Sequence, residues 1–169
     1  MSLVAVNGSP SRDSKTGALA DAAVRLAGGG TVHHVADLSP DALFMRAKDP
    51  ALDEVLGSFA AARPLVLASP TYRATYSGML KSVLDLVPAQ PDKRPPLDGV
   101  PVVLIGTGGN RDHYLSLDTG LRLVVAAMGG WSVPTVVYAT GADFGEGNVP
   151  GDGILALLQQ ALDEAARLA

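Results

Sequence analysis

The sequence predicts an α/β protein in which a parallel sheet carries helices on both faces. Five short apolar segments alternate strictly with segments of helical periodicity along the 169 residues, as expected for consecutive βα units. The first, third and fourth apolar segments are each followed by a turn rich in glycine or in hydroxyl side chains. Because ligands bind at the carboxyl ends of the strands in such sheets, these turns are candidates for a binding site.

The first unit consists of a strand at 3–7, a polar turn from Gly8 to Gly17, and a helix at 18–27. A turn at a helix N-terminus favours an anion, because unpaired N–H groups and the positive end of the helix dipole lie there. A phosphate monoester is the expected ligand, and an ordinary capped helix start with solvated charges is the alternative. The candidate phosphate-binding side chains are Ser9, Ser11, Arg12, Ser14, Lys15 and Thr16.

Two other phosphate-binding motifs are excluded in this turn. It contains neither Gly-x-x-x-x-Gly-Lys-Ser/Thr, which binds nucleoside triphosphates, nor Gly-x-Gly-x-x-Gly, which binds dinucleotides. A hydroxyl-rich turn after the first strand is instead the arrangement that binds the phosphate of flavin mononucleotide in flavodoxin-like sheets.

The second unit is predicted as a strand at 31–35, a polar segment at 36–50 and a helix at 51–62. His33 and His34 are neighbours in this strand, so their side chains point to opposite faces and cannot bind one metal ion together. We therefore predict no metal site here.

The third strand, at 65–68, is continuously apolar, which is typical of a strand buried on both faces. The segment after it is predicted as a loop followed by a helix at 78–86. Two tyrosines of the loop, Tyr72 and Tyr76, are placed to flank a planar ring, and the alternative is that they only pack the loop.

The fourth and fifth units contain two further strands, whose connecting segments are rich in proline or glycine. Gly108 and Gly109 follow the fourth strand and would let the backbone approach a ligand closely, with a simple tight turn as the alternative. Pro134 indicates that part of the fifth strand lies near a sheet edge. The elements are an exposed connection at 89–99, a strand at 100–105, a helix at 112–128 predicted to be the longest, a strand at 131–138, a glycine-rich loop at 140–153 and a helix at 154–168.

These elements predict a single flavodoxin-like domain spanning 1–169, with a doubly wound five-stranded parallel sheet in the order 2-1-3-4-5. In that order the first and third strands lie on either side of the switch point, and the fourth strand is next to them. The three polar turns are therefore expected to converge on one site.

Composition excludes several other classes of protein. The net charge is −4 without a basic block, which argues against a nucleic-acid partner. Without cysteine, the chain has neither disulfides nor thiolate metal sites. No apolar stretch is long enough to span a membrane, and the start, Met1-Ser2, lacks the basic region of an export signal. We expect a cytoplasmic protein.

Three motifs resemble those of the NADPH-dependent FMN reductase family, and the resemblance covers nearly the whole chain. The middle motif is the most specific, because the family has a similar Pro-x-Tyr, then Gly-x-x-Lys, then Leu-Asp pattern in that place. Around His113 and Leu117-Asp118 the chain looks most like the branch that supplies reduced flavin to sulfonate-type monooxygenases. The motifs are Gly8-Ser9-Pro10-Ser11 with Ser14-Lys15-Thr16, Ser69-Pro70-Thr71-Tyr72 with Ser77-Gly78-Met79-Leu80-Lys81-Ser82-Val83-Leu84-Asp85, and Thr107-Gly108-Gly109.

The resemblance implies FMN and NADPH or NADH as cofactors, with the six side chains of the first turn holding the FMN phosphate. It places Pro70, Thr71, Tyr72 and Arg73 along one edge of the isoalloxazine, and Thr107, Gly108, Gly109 and Asn110 along another. Hydride transfer from the nicotinamide C4 to the flavin N5 is chemistry of the cofactors, so no catalytic side chain is assigned. Backbone N–H groups of the Gly108-Gly109 turn are candidates to stabilise the anionic reduced flavin.

The resemblance leaves two activities open. Some members that release their flavin have an extra aromatic residue in the fourth helix, where this chain has Leu117-Asp118-Thr119-Gly120. Either FMN dissociates after reduction and serves a partner such as a monooxygenase, or it stays bound and the site reduces quinones, azo compounds or similar acceptors. Arg12, Arg73 and Arg111 are each able to pair with a 2'-phosphate, and the alternative for each is a solvated surface charge, so the choice between NADPH and NADH also stays open.

The same helix bears on assembly. Its apolar stripe of Tyr114, Leu117, Leu121, Val124 and Met128 fits either the core or an oligomer face. With the habit of the family, this stripe implies a homodimer or homotetramer.

Overall fold

A parallel sheet with helices on both faces is present, which confirms the predicted fold class. The computed structural model describes residues 3–168, so Met1, Ser2 and Ala169 of the predicted domain lie outside the described residues. The long strands are β1 (Leu3–Asn7), β2 (Gly30–His34), β3 (Leu65–Tyr72), β5 (Pro101–Thr107) and β6 (Trp131–Ala139), and all pair in parallel. They lie in the order β2-β1-β3-β5-β6, which is the predicted spatial arrangement of the five long strands.

A sixth strand was not predicted. This strand, β4 (Thr75–Tyr76), pairs antiparallel with the end of β3 and forms a short hairpin beside the main sheet. As a result β3 continues through Tyr72, whereas the sequence predicted a strand ending at Ala68 and a loop beyond it. The continuation follows from pairing, since Pro70 at the end of β3 is in register with Thr107 of β5.

The helices cover the two faces of the sheet. Alternate side chains of β3 enter opposite cores: Leu65 and Leu67 pack towards α3, α4 and α5, while Val66 and Ala68 pack towards α1 and α6. The helices are α1 (Lys15–Leu26), α2 (Pro40–Leu43), α3 (Pro50–Ser58), α4 (Gly78–Leu86), α5 (Arg122–Ala127) and α6 (Asp152–Ala166). Among residues 3–168, no helix is long and apolar enough to cross a membrane.

The predicted long helix at 112–128 is wrong in detail. The segment begins as a 3-10 turn at Arg111–His113, continues as a π-helical turn at Leu117–Leu121 and only then becomes α5. The longest helix is α6. Gly120 explains part of the difference, because a Cβ there would lie 3.2 Å from the Tyr76 ring, so the backbone of the π-helical turn packs directly on the β3–β4 hairpin.

Strand β6 forms an edge of the sheet, as Pro134 indicated. Its pairing with β5 shifts register between Val102 and Leu104, and Pro134 is exposed there. Glu164 of α6 accepts hydrogen bonds from the Thr135 N–H (2.9 Å) and hydroxyl (2.7 Å) at this irregularity. Burial raises the pKa of Glu164, but these bonds outweigh it, so that the pKa is lowered overall. The edge backbone is thus protected by a side chain of the neighbouring helix.

Candidate functional site

The three turns predicted to converge are joined by side-chain hydrogen bonds at the carboxyl edge of the sheet. The buried hydroxyls of Thr16 and Thr107 lie 2.6 Å apart, which connects the turn after β1 with the turn after β5. The hydroxyl of Ser77, at the start of α4, donates to the Gly8 carbonyl at 2.7 Å. The backbone at Gly8 packs so closely on α4 that an added Cβ would lie 2.6 Å from the Leu80 Cβ. The structure therefore brings the three turns into one continuous surface.

Ser77 holds two parts of this surface at once. Its hydroxyl accepts from the Leu80 N–H at 3.1 Å, capping α4, while it donates to Gly8, and its side chain is buried. We expect Ser77→Ala to lower the free energy of unfolding by about 2 kcal/mol, because both a cap and a buried carbonyl lose their partner. Chemical denaturation measures this change.

The control for that prediction is Ser82→Ala in the same helix. The Ser82 hydroxyl is exposed and donates only to the Gly78 carbonyl of its own helix, at 3.0 Å. We expect this variant to lose less than about 0.5 kcal/mol. Equal losses in the two variants would mean that Ser77 does not tie the turn after β1 to α4.

The side chain of Asn7, a residue that the sequence analysis did not single out, hydrogen-bonds to the backbone of the first turn. Asn7 is fully buried at the end of β1, and its Oδ1 accepts from the Ser9 N–H at 3.1 Å. Its Nδ2 lies 3.1 Å from His34 Nδ1 in the neighbouring strand. The Ser9 hydroxyl then accepts from the Ser11 N–H at 3.3 Å. A polar residue ending an apolar strand was the available signal.

Backbone N–H groups of this turn form a cradle that fits an anion. Within residues 3–168, the N–H groups of Arg12, Asp13, Lys15 and Thr16 have no hydrogen-bond acceptor. Ser14 caps α1 by accepting from the Gly17 N–H at 3.0 Å, so Lys15 and Thr16 are the first two residues of the helix and Arg12 and Asp13 come directly before its cap. Unpaired N–H groups at the positive end of a helix dipole are the donors that a phosphate requires.

Both predicted cations of the turn make contacts within the chain. Arg12 forms a bidentate ion pair with Asp37, at 2.6 and 2.5 Å, and the hydrogen bond from Arg12 holds the Asp37 pKa below its ordinary value. The Arg12 and Asp37 side chains are 65% and 38% exposed, so little stability is lost if a ligand replaces Asp37. The Lys15 ammonium lies 5.8 Å from the centre of the Phe144 ring.

The second group of predicted residues lies in strand and hairpin rather than in a loop. Pro70, Thr71 and Tyr72 belong to β3, and Arg73 begins the two-residue connection to β4. Arg73 and Ala74 adopt φ values of 49° and 63°, a left-handed conformation that is strained for residues with a Cβ. The hairpin therefore holds an unusual backbone at the edge of the site.

The two tyrosines of this segment separate. Tyr72 is 51% exposed at the edge of the sheet, whereas Tyr76 packs against the core and the π-helical turn. Burial raises the Tyr76 pKa above its ordinary value. Tyr76 is therefore held by packing, which is the alternative stated above, and of the two tyrosines Tyr72 is the exposed one. Tyr72 is available to a ligand.

In the third turn, the two glycines differ in role. A Cβ at Gly108 would lie 2.0 Å from the Tyr138 hydroxyl, and the Gly108 N–H donates to the Ala139 carbonyl at 3.0 Å. A Cβ at Gly109 would meet no heavy atom within 4 Å. Gly108 is thus required by packing, while Gly109 is exposed and a side chain there would enter open space. Because the Gly108 N–H is already paired, it is not free for a ligand, contrary to our prediction.

The loop at 140–151 forms a further wall that was predicted only as a glycine-rich connection. Asp143 accepts from the Thr140 N–H (2.7 Å) and from Arg111 (2.6 Å), next to the third turn. Asn148 donates to Asp13 of the first turn at 3.3 Å. Burial raises the Asp143 pKa, but the hydrogen bonds from Thr140 and the charge of Arg111 outweigh this effect, so the pKa is below its ordinary value. The loop therefore bridges the first and third turns.

Asn110 acts locally: its side chain accepts from the Asp112 N–H at 3.0 Å and caps the short turn at Arg111–His113. Its own N–H, like that of Gly109, has no acceptor within residues 3–168. Two adjacent donors therefore lie at the point where the third turn opens onto the site.

Comparison with known proteins matches this architecture. A sequence profile of the family described as NADPH-dependent FMN reductase covers residues 1–145. A Pseudomonas aeruginosa protein named FMN reductase (NADPH) is 33% identical, over 98% of this chain and 91% of the relative. The NADH-dependent FMN reductase SfnF of Pseudomonas fluorescens is 36% identical, over 62% of this chain and 53% of the relative. The apo crystal structure of an NADH:FMN oxidoreductase (EMOB) is 32% identical with a TM-score of 0.83, over 98% of this chain and 88% of that one.

Proposed function

The chain belongs to the NADPH-dependent FMN reductase family, and from this premise we propose that it reduces FMN with a nicotinamide nucleotide. The bound cofactors supply the chemistry, a hydride transfer from the nicotinamide C4 to the flavin N5. The observation that carries the proposal is the cradle of four unpaired N–H groups at the start of α1, which lies beside an open glycine turn. Together they match a ligand with a phosphate at one end and a flat ring at the other.

In this proposal, the first turn binds the FMN phosphate. The N–H groups of Arg12, Asp13, Lys15 and Thr16 donate to its oxygens, and the Arg12 and Lys15 side chains supply positive charge. The hydroxyls of Ser9, Ser11, Ser14 and Thr16 shape this turn through their own hydrogen bonds. Their contribution is mainly to hold the N–H groups in place.

The ring is assigned to the surface between the hairpin and the third turn. Pro70, Thr71, Tyr72 and Arg73 form one side, and Thr107, Gly108, Gly109 and Asn110 form the other. The N–H groups of Gly109 and Asn110, rather than that of Gly108, are available to face the ring edge where negative charge develops on reduction. The protein positions the two rings and excludes water between them.

The destination of the reduced flavin is a further part of the proposal. Resemblance around His113 and Leu117-Asp118 supports release of reduced FMN to a partner enzyme such as a flavin-dependent monooxygenase. A homodimer or homotetramer is proposed from the habit of the family, because Leu117, Leu121 and Met128 of the predicted stripe pack in the core. The names of the relatives specify NADPH in one case and NADH in the other, so both nucleotides belong in the assay.

A spectrum and an oxidation assay test the function. The purified protein is desalted, its absorbance is recorded between about 300 and 500 nm, and oxidation of NADPH and NADH is followed with and without added FMN. We expect little retained flavin and oxidation that requires added FMN. Retained FMN together with reduction of quinones or azo compounds would instead identify the alternative acceptor reductase. Absence of any flavin-dependent oxidation would contradict both activities.

A further inference from the structure

We propose that Asn7 and His34 are positioning residues for the phosphate-binding turn, and that this turn binds FMN fully only while His34 is neutral. The inference rests on the proposed function, because it assigns the FMN phosphate to the turn after β1. It concerns two residues that make no contact with the ligand. Asn7 and His34 are directly opposite each other in the register of β1 and β2, so their side chains lie on the same face of the sheet.

The orientation of the Asn7 amide follows from the backbone. The Ser9 N–H is a donor and lies 3.1 Å from the Asn7 side chain, so the atom that meets it must be the carbonyl Oδ1. The Nδ2 group therefore points to His34 Nδ1, at 3.1 Å. Because Nδ2 can only donate, Nδ1 must be an unprotonated acceptor. The contact as it stands requires a neutral imidazole.

Protonation of His34 would place an N–H donor against the Asn7 NH2 group. If the Asn7 amide rotated to offer Oδ1 to the imidazolium, the Ser9 N–H would lose its acceptor. If it did not rotate, the imidazole would leave, and the buried Nδ2 would keep only the longer hydrogen bond to the Ser11 carbonyl, at 3.5 Å. Either outcome removes a hydrogen bond beneath the turn, at a cost of about 1 kcal/mol. The position of Ser9, and through its hydroxyl that of Ser11, is then less well fixed.

The surroundings of His34 allow this change. The side chain is half-buried, so that an imidazolium reaches water by rotating outward. The charged and titratable groups near it are His33 in the same strand, Asp37 in the turn after β2, and Arg12, which pairs with Asp37 across the phosphate-binding turn. Glu54 of α3 acts on His33. Asp37 also interacts with the charge of His34, which contributes to lowering the Asp37 pKa, whereas the Asn7 amide is the group that the His34 Nδ1 contacts directly.

The test compares dissociation constants of FMN and riboflavin, which differ by the phosphate alone. Wild type, His34→Gln and His34→Leu are measured by flavin fluorescence at about pH 8 and about pH 5.5, with His33→Gln as the matched control. The phosphate itself takes up a proton near pH 6, an effect common to all variants. The FMN preference, which is the dissociation constant of riboflavin divided by that of FMN, is therefore compared between variants at each pH.

Glutamine keeps an acceptor for Asn7 without a titratable group, whereas leucine removes the acceptor. Between pH 8 and pH 5.5, the FMN preference of wild type should fall. We expect this fall to be about fivefold larger than the fall in His34→Gln, which is equivalent to about 1 kcal/mol. In His34→Leu, the preference for FMN over riboflavin should be lower than in wild type at pH 8 by a similar factor, at both pH values. His33→Gln should follow wild type. Riboflavin affinity should change little in any of them.

Two results overturn the inference and have different meanings. A marked FMN preference with the same pH profile in wild type and His34→Gln would show that protonation of His34 does not affect the turn, while leaving the phosphate assignment intact. Equal affinity for FMN and riboflavin in wild type at pH 8 would contradict the phosphate assignment as well. If His34→Leu does not fold, the comparison of wild type with His34→Gln alone decides the question.

Discussion

Replacing Gly109 with valine should strongly weaken flavin binding while the fold remains intact. A Cβ at this position meets no heavy atom within 4 Å, and its backbone does not require glycine. The added branches therefore project into the space that we assign to the isoalloxazine. Overpacking of this kind costs about 1–3 kcal/mol, so FMN and riboflavin should both bind about 5- to 150-fold more weakly. Fluorescence titration gives the affinities, and thermal unfolding checks the fold.

The neighbouring glycine serves as the contrast. In Gly108→Ala the new Cβ would lie 2.0 Å from the Tyr138 hydroxyl, so we expect a loss of stability rather than a selective loss of flavin. Adding Tyr138→Phe should recover part of that stability, because the hydroxyl oxygen is the nearest atom and has no partner within residues 3–168. Normal flavin affinity in a stable Gly109→Val protein would remove the third turn from the proposed site.

The arrangement of the sheet could be predicted because it depends on local patterns that repeat. Runs such as 65–68 are apolar enough to indicate buried strands, and strict βα alternation leaves few topologies. The helix at Gly78–Leu86 was predicted with its observed bounds, since Ser77 caps it and Pro88 follows it. Polar turns at the ends of three strands were enough to place the candidate site at one edge.

The parts that could not be predicted depend on contacts between distant segments. Asn7 and His34 are 27 residues apart, and Arg111 and Asp143 are 32 apart, so no local pattern relates them. The first part of the helix predicted at 112–128 was misjudged because its periodicity looks regular, while packing of Gly120 on Tyr76 sets a π-helical turn. The same lack of local signal hid the pairing of the Gly108 N–H with Ala139.

Arg12→Ala should separate the phosphate from the ring. A charge-assisted hydrogen bond to phosphate is worth about 1.5–3 kcal/mol. Binding also requires Arg12 to leave Asp37, and an exposed ion pair of this kind offsets up to about 1 kcal/mol. The difference, about 0.5–3 kcal/mol, predicts that FMN binds about 2- to 150-fold more weakly in Arg12→Ala. Riboflavin, which has no phosphate, should bind almost as it does to wild type.

Asp37→Asn is the matched control, because it removes the competing carboxylate and keeps Arg12. It should bind FMN at least as tightly as wild type, with riboflavin again unchanged, since Arg12 no longer has to give up a charged partner. If Arg12 instead acts only by holding the turn to Asp37, both variants should weaken FMN to a similar extent. If Arg12→Ala weakens FMN and riboflavin equally, the turn after β1 does not hold the phosphate. The pair of variants thus separates a guanidinium that binds the ligand from one that only ties the turn to Asp37.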